Sequence, residues 1–418
     1  MKNKTLLYLF LSSFIILFVG MGLFPVLPLY DAQFGATRTV VGIHFALMYA
    51  ANMLGHMLTG WMSDRLTPRG AFIGAGVLGI PTLVLLGQAT GLWQVILLTA
   101  AAWFLGGLGR ALVNVFIGQH ANGKSRAISF SLMFLAYPLG AAFGSATVGQ
   151  LVTRQGYPVM FAALGAIWTV LPVIGLLGLK DKPFSRPKRT TTQKAGATGR
   201  LGRMFYLLLA VSLLSGTAIN VSRLGMPLSM QALGFSVSAI AGVTVVSGLA
   251  SVPVVLLIGA LSDRLGRKRF LALVYLLAAG GALILSAASE LWHFWLAATA
   301  MFVALCVNGA LASALAVDML SQGALNRGLP RITAVGAVAS ILSFASAGYV
   351  MDTLGAATLY LTAAGLAVAA ALPLSWLGRS TPRGEVAVSG AKPPCPPEPV
   401  LRGDPMTRRT AQPAVTEG

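Results

Sequence analysis

Charge is scarce in this chain. Only 10% of its 418 residues are Asp, Glu, Lys or Arg, while 56% are hydrophobic. A water-soluble domain carries roughly a quarter charged residues, so an ordinary soluble fold is excluded. Cysteine is nearly absent. Cys306 lies in an apolar stretch and Cys395 near the end, which excludes a disulfide framework and a cysteine metal site. No G-x-x-x-x-G-K-[ST] phosphate loop occurs, which argues against an ATP-driven pump. No nucleophile–base–acid set and no cluster of metal ligands is readable. The chain is therefore not expected to be an enzyme or to carry a cofactor or metal.

What is present is length without charge. Twelve apolar stretches of about 20 residues or more each suffice to cross roughly 30 Å of hydrocarbon as a helix. They lie near 6–30, 38–62, 70–89, 92–118, 127–152, 157–179, 204–229, 236–261, 270–288, 291–318, 332–351 and 355–378. The first follows Lys2 and Lys4, as a signal peptide would. It is too long for a signal h-region and is expected to be a retained span. The fold class expected is an all-α membrane protein of twelve transmembrane helices.

The net charge of +19 is a topology signal. With the N-terminus in the cytoplasm, 26 of the 30 basic residues fall in cytoplasmic segments. Arg38 and Arg154 fall outside, and Arg110 and Arg223 lie within spans. This is the positive-inside pattern, with both termini cytoplasmic in a plasma (bacterial inner) membrane. It offers lipid headgroups, not nucleic acid, as the partner of the basic charge.

The chain repeats itself. At an offset of 199 residues, Gly60, Ser63, Asp64, Arg65 and Leu66 match Gly259, Ser262, Asp263, Arg264 and Leu265. Gly35, Trp93, Gly149 and Gly156 match Gly234, Trp292, Gly348 and Gly355 in the same register. Two six-helix bundles follow, 1–179 and 204–378, as parallel repeats. A linker rich in basic residues is expected over 180–203, and a disordered cytoplasmic tail over 379–418.

The repeated phrase, "GWMSDRLTPRG" and "GALSDRLGRKR", resembles the signature G-x-L-a-D-r-x-G-r-[kr] of the major facilitator superfamily. The second copy is the better match. "PVLP" at Pro25 to Pro28 resembles a motif of the twelve-span drug:proton antiporter branch, and two prolines bending a helix end would look the same. Two departures accompany it: Ser145 stands where that branch has proline, and Trp103 where it has arginine. The glycines of the fifth span, Gly140, Gly144 and Gly149, also suit a small-residue packing face. The resemblance implies the major facilitator fold and a conformational latch. The latch residues would be Gly60, Asp64, Arg65, Gly259, Asp263, Arg264 and Arg267. It also implies a solute path lined chiefly by helices 1, 4, 7 and 10.

Intramembrane ionisable groups are the candidates for transport chemistry, since each costs at least ~2.5–3.5 kcal/mol at mid-bilayer. Trp103, Arg110 and Asn114 fall within about 40° of one another around a helix, an aromatic, a cation and an amide on one face. Arg223, preceded by Asn220, lies on the corresponding helix of the second half. Either arginine could instead be structural, tied to carbonyls or snorkelling to an interface. None of the eleven acids sits mid-span. Asp31, at the mouth of the first span, is the nearest, and is expected to be a solvated cap. The remaining proton carriers are His44 and His56, with Tyr49, Asn52 and His56 in one stripe.

The expectation is a secondary transporter of small organic molecules working by alternating access. Its partners are a small-molecule solute, protons or another coupling ion, and the bilayer, and it is expected to be a monomer. Proton-linked export of drugs or metabolites is the leading reading. Organic-anion uptake or exchange through Arg110 and Arg223 is the alternative. A non-transporting membrane sensor is a third, with no folded output domain in sight.

Overall fold

The computed structural model describes residues 3–65, 67–120, 123–179, 202–320 and 322–376. The linker apart from Gly202 and Arg203, and the whole tail, lie outside them.

A backbone in hydrocarbon must satisfy every N–H and C=O within its own segment, so apolar stretches of this length become helices. The elements are α1 (Asn3–Leu23), α2 (Leu27–Gln33), α3 (Arg38–Arg65), α4 (Pro68–Leu86), α5 (Leu92–His120), α6 (Gly123–Trp168), α7 (Val170–Leu177), α8 (Arg203–Ala232), α9 (Val237–Leu265), α10 (Arg267–Ser286), α11 (Leu291–Met319), α12 (Gln322–Thr353) and α13 (Gly355–Trp376).

Thirteen elements make twelve crossings. The first span breaks at a turn over residues 24–26, which holds Pro25, and resumes as α2 with proline in its first turn. The prolines of "PVLP" thus divide a helix near its end. The fifth and sixth spans run together in α6, but Gly156 adopts φ 82°, ψ 174° and interrupts the helix. Beyond it the chain returns. Gly140 and Gly144 pack on Leu17 and Phe18 of α1, whereas Gly178 packs on Tyr8, further back along the same helix.

The repeat seen in the sequence is carried by the backbone. Gly35 and Gly234 have φ 75° and 78°, and Gly156 and Gly355 have φ 82° and 85°. Each pair is 199 residues apart, and each turn uses a conformation that glycine adopts without strain. Thr37 accepts from Val40 N at the start of α3, and Ser236, its counterpart, accepts from Ala239 N at the start of α9. The repeat also fails in places, at the break of the first span and at the charged phrase. There Thr67 caps α4 through Gly70 N, while Gly266 turns with φ 104°.

The described residues form one compact unit. Its two halves meet along α3 with α12 and α6 with α9. Gly42 faces the Phe344 carbonyl at 2.5 Å from where a Cβ would sit, and Gly348 lies against the Arg38 carbonyl. Gly149 meets Ala241. These contacts lie at the end of the bundle where α3 begins and α12 finishes, here called the closed end. At the other end His56, Arg65, Arg110 and Asn114 are exposed. The end toward the α3–α4 and α9–α10 loops is here called the open end.

Candidate functional site

Three arrangements of polar residues stand out in this apolar framework. The first lies between the halves. Arg223, on α8, turns into the interface between the halves and does not snorkel toward the closed end. Its guanidinium carbon sits 4.3 Å from the centre of the Phe24 ring, in the opposite half. Nη1 donates to Asn220 Oδ1 at 3.2 Å, and Nη2 lies 3.9 Å from Met21 Sδ. Tyr49 of α3 is within hydrogen-bonding reach. Asn220 in turn donates to Ser340 Oγ at 3.1 Å, which ties α8 to α12. Arg223 opens on a cavity lined by Met226, Met230, Val243, Met301 and Phe302.

Arg110 lines a neighbouring cavity with Trp103, Gly106, Asn52 and Trp168, and Met21 borders both cavities. Trp103 and Arg110 are thus brought together as their spacing predicts. Asn114 is exposed a turn further toward the open end and does not line that cavity. The stripe of α3 is divided. Asn52 donates to the Trp103 carbonyl at 3.0 Å and joins α3 to α5, where Gly107 lies against the Asn52 carbonyl. Tyr49 stacks near Phe344 at 4.7 Å, and His56 stays exposed within electrostatic range of Arg110.

The second arrangement corrects the sequence expectation. Asp31 is not a solvated cap. It is 0% exposed, and its Oδ2 lies 2.8 Å from Nδ1 of His44, also 0% exposed. Asp31 Oδ1 and His44 Nε2 are buried without a hydrogen-bond partner. Asp31 lies in α2, beyond the break at residues 24–26, and its carboxylate faces His44 of α3. Tyr30 closes the pocket, donating to the Leu86 carbonyl at 2.8 Å and stacking on Tyr157 at 4.6 Å. A spacing of 13 residues across a turn gave no periodic signal for this pair.

The third arrangement closes one end. Asp352, at the end of α12, accepts from Thr39 N at 2.7 Å and Thr39 Oγ1 at 2.6 Å. It therefore caps the N-terminus of α3 in the opposite half, where unpaired N–H groups and the helix dipole favour an anion. Arg38 donates to the Met351 carbonyl beside it. Nothing in the local sequence marked Asp352.

Arg267 pairs with Asp318 at 3.0 Å within its own half. Arg65 lies over the Trp61 ring at 4.6 Å. Gly60 and Gly259 face open space. The side chains of Asp64, Asp263 and Arg264 lie outside the described residues. In the fifth span Gly140, Gly144 and Gly149 serve close packing, and Ser145 Oγ donates to the Met21 carbonyl at 3.4 Å.

Comparison with known proteins agrees with this architecture. Among curated proteins, the multidrug resistance protein MdtG of Proteus mirabilis is 23% identical over 262 residues, covering 59% of this chain. That match spans 64% of the relative, just under two thirds of its length. MdtG of Salmonella newport is 24% identical over 305 residues, 69% of this chain and 73% of the relative. Among solved structures, the nucleoside transporter NupG superposes with a TM-score of 0.67 at 17% identity, covering 90% of this chain and 98% of that one. The POT family transporter PepTSo gives 0.71 at 11% identity, covering 91% and 98%. The Major Facilitator Superfamily profile matches residues 9–221 and 208–408, once for each half. The chain belongs to that superfamily and is a multi-pass membrane protein.

Proposed function

We propose that the protein exports small amphipathic molecules in exchange for protons, with the basic loops in the cytoplasm of a bacterial cell. The open end then faces the cytoplasm and the contacts around Asp352 hold the outer side shut. The observation that carries the reading is the buried Asp31–His44 pair. A carboxylate and an imidazole are buried in contact with each other, each with one polar atom unpartnered. Both residues bear on α3, the helix whose first turn Asp352 grips. A proton arriving at the pair when the outer side opens would change how α3 is held, linking protonation to the position of the halves.

The similarity to MdtG supports export, and the apolar, methionine-rich cavity beside Arg223 supports amphipathic solutes. Arg110, Asn114, Trp103, Arg223 and Asn220 are assigned to the solute path. His56 is a secondary proton-coupling candidate at the open end. In the alternate state Asp64, Arg65, Asp263 and Arg264 would close the cytoplasmic side, with Gly60 and Gly259 admitting close approach. The unit is a monomer, because the path lies wholly between the halves of one chain. One proton crossing ~150 mV releases ~3.5 kcal/mol, enough for a solute gradient of several hundred-fold.

The test uses the full chain in proteoliposomes holding a pH-reporting dye. Naphthalene sulfonate and naphthyl trimethylammonium are the transported probes. A pH gradient should drive accumulation of at least one of them, with matching proton movement. Asp31→Asn should abolish that accumulation while solute–solute exchange continues. Equal accumulation with and without the gradient, or an unimpaired Asp31→Asn chain, would refute the proposal.

A further inference from the structure

We infer that the cavity beside Arg223 is a binding site for amphipathic organic anions, with the acidic head on Arg223 and the apolar body among Met226, Met230 and Met301. The inference deepens the export reading by naming the substrate class, and rests on it only for direction.

The argument begins with an uncompensated charge. An arginine side chain stays protonated under all ordinary conditions, so its charge inside the membrane must be met by something. Asn220 Oδ1, Met21 Sδ, the Phe24 ring, Tyr49, Tyr137 and Cys306 are the neighbours of the Arg223 guanidinium. They offer neutral acceptors and a ring face, and none is a carboxylate. The carboxylates with described side chains are all engaged elsewhere. Asp31 faces His44, Asp318 faces Arg267 and Asp352 caps α3. Glu290 caps the start of α11. Among the described residues no acid serves as counter-ion to Arg223.

The second observation is the shape of the surroundings. Met21 and Phe24 hold the guanidinium from one half, and the space beyond it is walled by Met226, Met230, Met301 and Phe302. Methionine is unbranched and polarisable, and accommodates apolar bodies of different outline. One fixed cation at the mouth of an adaptable apolar chamber demands an anionic head and leaves the body loosely specified. Arg110, one cavity away across Met21, gives a second station of the same sign toward the open end. A cationic solute would meet two like charges and, among the described residues lining these cavities, no carboxylate.

Equilibrium binding to the purified full-length chain, without any gradient, tests the inference. The probes share one aromatic body: naphthalene sulfonate, the neutral naphthalene sulfonamide, and naphthyl trimethylammonium. The native chain should bind the sulfonate at least ~10-fold more tightly than the other two, as expected for a charge-assisted contact. Arg223→Gln should bring the sulfonate to within about twofold of the sulfonamide, and Arg223→Lys should keep a reduced preference. Met226→Gln should weaken sulfonate and sulfonamide alike. The native chain alone decides the sign. Equal affinity for all three probes, or preference for the ammonium, overturns the inference, as does an unchanged sulfonate preference in Arg223→Gln. If the sulfonate is preferred but no probe responds to a pH gradient, proton-linked export fails and the anion site stands. If the ammonium is exported against a gradient and the sulfonate is ignored, the reverse holds.

Discussion

The Asp352 contact makes the most direct test of how the closed end is held. Asp352→Ala removes an acceptor that takes two hydrogen bonds from Thr39, at 2.7 Å and 2.6 Å, and removes a negative charge from the N-terminus of α3. Charge-assisted bonds are worth about 1.5–3 kcal/mol when buried. Here the bonds are exposed, and solvent screening brings each to roughly 0.5–1 kcal/mol. The helix dipole adds about 0.3–1 kcal/mol. The sum is about 2 kcal/mol, or roughly 30-fold in the ratio of closed to open molecules at this end. A chain that is closed ten times more often than open would then be closed only about a third as often as open. Spin labels at Gln33 and Leu354, both exposed and on opposite halves, would report the separation in a chain with Cys306 and Cys395 replaced by alanine. Asp352→Asn, which keeps an acceptor and loses the charge, should produce about half the effect in free energy. An unchanged distance distribution in Asp352→Ala would show that the cap does not hold the closed end. An Asp352→Asn shift as large as that of alanine would show that the acceptor role of Oδ2 is irrelevant and the charge is everything.

Two further substitutions probe backbone geometry. Gly348→Val places a side chain against the Arg38 carbonyl, a neighbour that cannot swing aside. The same distance measurement should find the closed population largely lost, and solute transport should fall with it while the protein still folds. Gly156→Ala forces an L-residue into φ 82°, ψ 174°, a region open essentially only to glycine, at about 1–3 kcal/mol. Thermal unfolding in detergent should shift to lower temperature, with Gly156→Asn no better, because asparagine tolerates the left-handed helical region and not this extended one.

Much of the fold was legible because the bilayer leaves so few choices. Twelve apolar stretches had to become helices, and the 199-residue register had to give two like halves. The matched positive-φ turns at Gly35, Gly234, Gly156 and Gly355 follow from that repeat. The pairing of Trp103 with Arg110 was legible too, since both lie on one helix face. What lay beyond reach were contacts between residues that share no helix. Asp31 read as a cap because its position near a span end suggests water. Only the tertiary structure places it against His44 of α3. Arg267, named for the latch on its motif, pairs with Asp318, a partner 51 residues away that the repeated phrase does not indicate.

The amino-acid order by itself determined that this chain crosses a membrane twelve times in two related bundles, because apolar length and charge placement act locally and additively. Which polar groups face one another was decided by tertiary packing alone. Thr39 and Asp352 are 313 residues apart, and helices apolar on every side give no periodic sign of the face turned to lipid, to a neighbour or to the solute. In hydrocarbon that choice falls to close packing at glycines and to the few polar side chains that must find partners.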